Sequence, residues 1–265
     1  SGAEGGKLLP ETMGGGAAFL DVDNDGDQDL LLASGQWWPG SARAGEAVAS
    51  RLYLNDGSGQ FAWAGPAWDI GAGVYGTGLA VGDWDADGLV DVFLGAVGGD
   101  RLYRNTGQGF EDVTEAAGVA GDAAAWTSSP AFLDVDGDSD LDLFVPRYVK
   151  WSAEKDEALN FTLNGTDRAY GPPKQYEGTV SALWLNEGDG TFTDASERAG
   201  LHVLNPATGA PVGKSLAVAP ADLDRDGDID LLVANDTTRN FYFRNRGNGT
   251  FEEAGVDLGV AYDQQ

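Results

Sequence analysis

Four stretches of this 265-residue chain carry aspartate at alternate positions. They are Asp21, Asp23, Asp25, Asp27 and Asp29; Asp83, Asp85, Asp87 and Asp91; Asp134, Asp136, Asp138, Asp140 and Asp142; and Asp222, Asp224, Asp226, Asp228 and Asp230. Carboxylates this close repel one another unless a cation sits among them. Oxygen donors at alternate positions around a glycine bend suit Ca²⁺. Gly26, Gly88 and Gly227 stand at the sixth position, and Ser139 replaces glycine in the third copy. In this nine-residue register, positions 1, 3, 5 and 9 offer carboxylates and position 7 offers its backbone carbonyl. Leu89 therefore serves where the other copies have Asp27, Asp140 and Asp228. The expectation is about four structural Ca²⁺ sites.

The main rival for such a loop is the EF-hand, which needs a bidentate Glu at position 12 and a helix on each side. Position 12 here is Leu32, Leu94, Val145 and Val233, inside short apolar runs. Those runs, such as Leu30-Leu31-Leu32 and Val92-Phe93-Leu94, are continuously hydrophobic, as strands buried on both faces are. An apolar strand leads into each acidic loop and another leads out.

A second word follows each loop: Leu52–Phe61, Tyr103–Phe110, Trp184–Phe192 and Phe243–Phe251, each apolar around an Asn/Gly-rich turn. This pattern reads as a β-hairpin. The second copy is one residue shorter in its turn. A third word, Asp112–Gly118 and Asp194–Gly200, reads as a short helical turn closed by glycine. The chain is thus all-β. Its repeating unit has four strands, A to D, and four such units point to four blades of a β-propeller, at about 14–70, 71–122, 123–205 and 206–265.

In an up-and-down blade, the acidic A–B loops share one face with the Asn/Gly C–D turns. The B–C loops share the opposite face with the D–A links. Two long insertions, Gly35–Ser50 and Tyr148–Val180, fall in B–C loops and bring Trp37, Trp38, Tyr148, Trp151, Tyr170 and Tyr176. Long loops are often functional. These six aromatics mark a candidate ligand face, where a glycan or partner protein would stack, with plain packing the alternative. Trp84 and Trp184 read as packing residues.

The net charge is −27, which argues against nucleic acid or anionic lipid as a general partner. No cysteine is present, so disulfides and thiolate metal sites are excluded. No apolar run approaches a membrane span, no signal-peptide pattern is read, and Ser1-Gly2-Ala3 resembles a processed start. Ca²⁺ loops of modest affinity fill where Ca²⁺ is plentiful, so the expected location is extracellular, periplasmic or at the cell surface.

Candidates for catalysis are few. His202 is the sole histidine, which leaves no Ser-His-Asp or Cys-His set. Glu154, Glu157 and Glu177 in the third-blade insertion could supply a carboxylate pair for glycoside cleavage, so a carbohydrate-active enzyme working on the B–C face is the alternative function. Lys150, Lys155, Arg168 and Lys174 lie in the same insertion and read as local charge partners or an anion site. Asn160, Asn164, Asn235 and Asn248 fit the N-glycosylation pattern.

The double motif, Asp-x-Asp-x-Asp-Gly-x-x-Asp and then Asn-x-Gly-x-Gly-x-Phe, resembles the FG-GAP/VCBS repeat. The Leu9–Gly16 segment, Gly171-Pro172-Pro173 and the Thr-Glu-Ala-Ala-Gly link resemble the ASPIC/UnbV group of secreted repeat proteins, in which Tyr170 is often Cys. This resemblance implies an integrin-α-like propeller of about seven blades, used for binding, adhesion or assembly. Four copies would then form an open arc, with Val260–Asp263 leading toward a further blade. Unseen sequence or another chain would complete it; a closed four-bladed ring is the competing arrangement.

Overall fold

The computed structural model describes residues 5–122 and 124–262. Ser1-Gly2-Ala3 and Asp263 lie outside that range. Each repeat folds as one antiparallel four-stranded sheet. The first comprises β1 (Ala17–Leu20), β2 (Asp29–Leu32), β3 (Arg51–Asn55) and β4 (Phe61–Trp63). The second has β5 (Tyr75–Gly82), β6 (Asp91–Val97), β7 (Arg101–Asn105) and β8 (Phe110–Asp112). The third begins with β9 (Ala131–Leu133) and β10 (Asp142–Val145). Its insertion follows, with α1 (Ala153–Leu159) and a hairpin of β11 (Thr162–Leu163) and β12 (Asp167–Arg168). The sheet resumes with β13 (Ala182–Asn186) and β14 (Phe192–Asp194). The fourth is β15 (Ser215–Ala221), β16 (Asp230–Asn235), β17 (Phe241–Asn245) and β18 (Phe251–Glu253). These are blades of a β-propeller. Their innermost strands lie side by side in the order β1, β5, β9, β15.

The strands are apolar on both faces because each blade is covered by two neighbours. Phe93 of β6 points into the core shared with the third blade, while Val92 and Leu94 point back into the core shared with the first. Phe144 of β10 likewise faces the fourth blade, and Leu143 and Val145 face the second. Each of these cores is therefore built from two blades. Near the axis the inner strands approach closely: a Cβ on Gly78 would lie 1.7 Å from the Ser128 carbonyl oxygen.

The links after β8, β14 and β18 each make a single α-turn, whereas the link after β4 is a 3-10 turn at Pro66–Trp68. Ala117, Ala199 and Leu258 donate their backbone N–H to Val113, Ala195 and Ala254 at 2.8, 2.8 and 3.1 Å. Gly118, Gly200 and Gly259 close these turns at φ +78°, +82° and +73°, a conformation glycine adopts without strain.

Candidate metal centres

All four acidic loops take the same path. Positions 4 and 6 of every copy are left-handed: Asn24 and Gly26, Ala86 and Gly88, Gly137 and Ser139, Arg225 and Gly227. The third loop has exchanged the two roles, with glycine at position 4 and serine, at φ +79°, at position 6. Asp21, Asp83 and Asp222 each accept backbone N–H groups four and five residues on, which curls the loop around its first carboxylate. In the third copy Asp134 takes the N–H groups of Gly137 and Ser139. The position-5 carboxylates of Asp25, Asp87, Asp138 and Asp226 each accept the N–H of position 7.

In the first three loops, carboxylate oxygens of positions 1, 3 and 9 lie within 4.8 Å of one another: Asp21, Asp23 and Asp29; Asp83, Asp85 and Asp91; Asp134, Asp136 and Asp142. Asp29, Asp91 and Asp142 are buried. Burial and neighbouring aspartates push Asp91 and Asp142 up to about 7, and raise Asp23, Asp85 and Asp136 for the same reasons. A hard divalent cation would relieve both penalties, and an all-oxygen donor set of this kind fits Ca²⁺. The position-7 side chains turn elsewhere. A Cβ on Gly57, Gly188 or Gly247 would lie 2.5, 2.7 or 2.5 Å from the carboxylate of Asp27, Asp140 or Asp228, so these aspartates pack under the C–D turns. Only their backbone carbonyls, with that of Leu89, remain for a metal.

The fourth loop differs. Its close carboxylates are those of Asp222, Asp224 and Asp226. Asp230 instead accepts the Tyr242 hydroxyl at 2.7 Å, and Arg244 Nε pairs with Asp224 at 3.1 Å. Tyr242 occupies the place of Leu52, Leu102 and Leu183, so the fourth copy alone brings a phenol to its ninth position.

The position-9 aspartate also joins the two sequence words. Asp29, Asp91, Asp142 and Asp230 each accept the backbone N–H of the next word's asparagine: Asn55 and Asn105 at 2.8 Å, Asn186 at 2.9 Å and Asn245 at 2.8 Å. The asparagine side chains then reach across the blade boundary. Asn105 donates to the Val22 carbonyl, Asn186 to Trp84 and Asn245 to Val135, all at 2.8 Å. The acceptor is position 2 of the preceding acidic loop each time. The recurring asparagine reads from sequence only as a turn residue; its role as a staple between blades depends on a partner some hundred residues away. Each asparagine side chain also donates to the position-8 carbonyl of its own loop, Val90, Leu141 and Ile229; Asn55 makes this bond to Gln28 and, among the described residues, no bond to another blade.

The chain matches the FG-GAP-like repeat over residues 21–94, 83–145, 169–233 and 222–264. It belongs to the FG-GAP-like repeat family. It is also similar to cartilage acidic protein 1 of Mus musculus, with 23% identity, and of Homo sapiens, with 24% identity, each over 95% of this chain and 36% of the relative. The chain thus spans about a third of the length of these curated relatives. Among solved structures it resembles an Agrocybe aegerita lectin, described in terms of specific recognition of non-reducing terminal N-acetylglucosamine. The TM-score is 0.48 and the identity 19%, covering 88% of this chain and 49% of the lectin.

On the opposite face of the FG-GAP-like blades, the aromatic insertions form a further core. Tyr148, Trp151 and Tyr176 are buried with Trp126, Leu8 and Leu9. Trp38 stacks on Tyr75 at 4.6 Å and leans on Trp151 at 5.1 Å. Buried Asp156 anchors this cluster by accepting from Leu9 N, Trp151 Nε1 and Arg168. The expectation of a six-residue ligand face is therefore corrected: Tyr148, Trp151 and Tyr176 are unavailable to a ligand. Long insertions rich in aromatics need an apolar interior of their own, and these rings supply it. Trp37 is half-buried beneath Arg43, 4.0 Å from its ring, and Tyr170 stays 39% exposed with Lys7 over it.

The remaining candidates are dispersed. Glu154 and Glu157 are exposed on α1, and Glu177 pairs with Lys150 at 3.8 Å. Arg168 is engaged with Asp156, and Lys155 lies over the Tyr176 ring. His202 shares a shallow cleft with Asp194, Ser196, Glu197 and Arg198, but Ser196 Oγ donates to Asp194 and accepts from Leu183 N. Among the described residues, no helix is long and apolar enough to cross a membrane.

Proposed function

We propose that this chain is part of an extracellular, Ca²⁺-stabilised propeller that serves as a binding, adhesion or assembly module. The observation that supports this reading is the threefold recurrence of one geometry. In each of three loops, carboxylates of positions 1, 3 and 9 converge, and position 9 also holds the asparagine that ties its blade to the preceding one or, in the first blade, the matching turn. An ion seated there would neutralise the loop and fix the staple together. The metal is structural in this account, and binding belongs to surfaces away from it. Trp37 and Tyr170 are the aromatics left accessible on the opposite face for a glycan or a protein partner. The names of the curated relatives support an extracellular setting.

Calorimetric melting tests the reading. Chelator should lower the melting temperature, and Ca²⁺ but not Mg²⁺ should restore it, since several protein oxygens converging on one point suit Ca²⁺, whereas Mg²⁺ keeps most of its waters. A single site at a hundredfold excess over its Kd adds about 2.7 kcal/mol. Identical melting with chelator and with Ca²⁺ would remove the proposal.

A further inference from the structure

A cleft of about 280 Å³ opens beside the aromatic core of the insertions. Gly6, Leu8 and Glu11 line it from the leading segment, Trp38 and Pro39 from the first-blade insertion, and Glu157 from α1. A shared anchor brings the two glutamates together. Buried Asp156, beside Glu157 on α1, accepts Leu9 N at 2.8 Å and Arg168 at 2.9 Å. Arg168 Nε in turn donates to the Gly6 carbonyl at 2.8 Å.

The charge of this lining is one-sided. Glu11 and Glu157 are both acidic, and among the described residues no lysine, arginine or histidine lines the cleft. The cations of the surrounding segments are engaged elsewhere. Lys7 lies over the Tyr170 ring, and Arg43 pairs with Glu46 above Trp37. Lys155 lies over Tyr176, and Arg168 pairs with Asp156. Glu11 is only 7% exposed. Its Oε1 accepts Leu8 N at 3.3 Å, and its Oε2 is buried without a hydrogen-bond partner. An unpaired buried acceptor costs free energy, and more when it is charged. A cationic donor removes that cost.

The lining also specifies the form of the donor. With Oε1 committed to the backbone, Glu11 offers a single oxygen. That suits the point donor of an ammonium better than the bidentate fork of a guanidinium. Leu8, Pro39 and the half-buried Trp38 supply an apolar wall for an alkyl stem.

We infer that this cleft binds a primary alkylammonium group, with Glu11 and Glu157 as its counter-charges. The chemistry is shared by a lysine side chain of a partner protein and a free alkylamine. The inference rests on the proposal above that binding belongs to surfaces away from the acidic loops, and it names the ligand class.

Heteronuclear NMR of the isotopically labelled chain in Ca²⁺, read at the Trp38 indole N–H, tests this. n-Butylamine should shift that signal saturably, and its neutral counterpart n-butanol should not. Lysine blocked at both backbone ends should bind more tightly than blocked arginine. Blocked lysine at least as tight as n-butylamine assigns the cleft to a partner's lysine; weaker binding assigns it to a free amine. Glu11→Gln keeps an oxygen for Leu8 N, and Glu157 is exposed, so both glutamine variants should melt as the wild type does. Glu11→Gln should weaken n-butylamine about tenfold, and Glu157→Gln about threefold because its charge is better solvated. No saturable shift, an equal response to n-butanol, a preference for blocked arginine, or unchanged binding in either variant would overturn the inference. A chain that ignores amines while its melting still responds to Ca²⁺ would remove this site and leave the metal-stabilised module intact.

Discussion

Asn186 donates its side-chain amide to the carbonyl of Trp84 at 2.8 Å across 102 residues of sequence. Its own N–H is held by Asp142, and its Oδ1 accepts from Gly188. One asparagine thus connects an acidic loop, a hairpin turn and the neighbouring blade. Asn186→Ala would leave the Trp84 carbonyl buried and unpaired, at a cost of about 2 kcal/mol. Asn55→Ala removes the same local bonds without a boundary partner, and should cost about 1 kcal/mol less. Urea denaturation of the two variants checks the difference, and equal losses would contradict a boundary role.

Asp85→Asn should change sign with the metal. In chelator, burial and the adjacent Asp87 raise the Asp85 carboxyl, so replacing it with a neutral amide should leave stability unchanged or higher. In Ca²⁺ the same change replaces a charged carboxylate ligand with a neutral amide oxygen and should lower stability by about 1–3 kcal/mol. Melting of wild type and variant in both conditions tests this; a variant less stable in chelator as well would mean that Asp85 serves the fold without the ion.

The fourth loop should bind Ca²⁺ most weakly. Arg244 and the Tyr242 hydroxyl occupy carboxylates that the other loops leave to a metal. Arg244→Leu, restoring the residue type of Leu54 and Leu185, should strengthen that site by roughly tenfold, equivalent to about 1.4 kcal/mol. Isothermal titration would show the weakest binding step tightening while the tighter steps stay in place.

Asp100 gives a pH dependence separate from the acidic loops. It is buried between the second and third blades, accepting from Ala96 N at 3.0 Å and Thr127 Oγ1 at 2.9 Å. Burial pushes its carboxyl from 3.8 up to about 6. The folded state therefore holds this proton more tightly than the unfolded chain. The resulting stability is fully present below pH 3.8 and is lost as pH rises through about 6. The total is about 3 kcal/mol. Asp100→Asn keeps an acceptor for Ala96 and offers an amide to Thr127. Its stability should change less between pH 4 and pH 6.5 than the wild type's, by roughly that amount. Parallel slopes would exclude Asp100 as the source.

The blade strands and acidic loops are legible in the sequence because both depend on local order. Alternating aspartates around a bend, and apolar runs too short for helices, carry their meaning within nine or ten residues. The staple is not local. Asn105 and Asn245 look like turn residues until Val22 and Val135 are placed beside them. The insertion aromatics mislead for a related reason: Trp151 and Tyr176 sit in a loop by sequence, yet Asp156 and the Leu8–Leu9 segment enclose them. The distinct fourth loop did have a signal. Tyr242 breaks a column otherwise made of leucine, and a hydroxyl beside a carboxylate is the physical content of that break.

Leu9 and Asp156, joined by a 2.8 Å hydrogen bond, are 147 residues apart. During synthesis the early segment leaves the ribosome long before α1 exists. At cellular elongation rates it waits roughly 7–30 s for its partner. For that interval Leu8, Leu9 and Trp38 have none of the third-blade aromatics to cover them. The strands of the first two blades can pair meanwhile, but this aromatic layer forms only once the third-blade insertion has emerged, and a nascent chain stalled before Tyr176 would offer an apolar strip to chaperones.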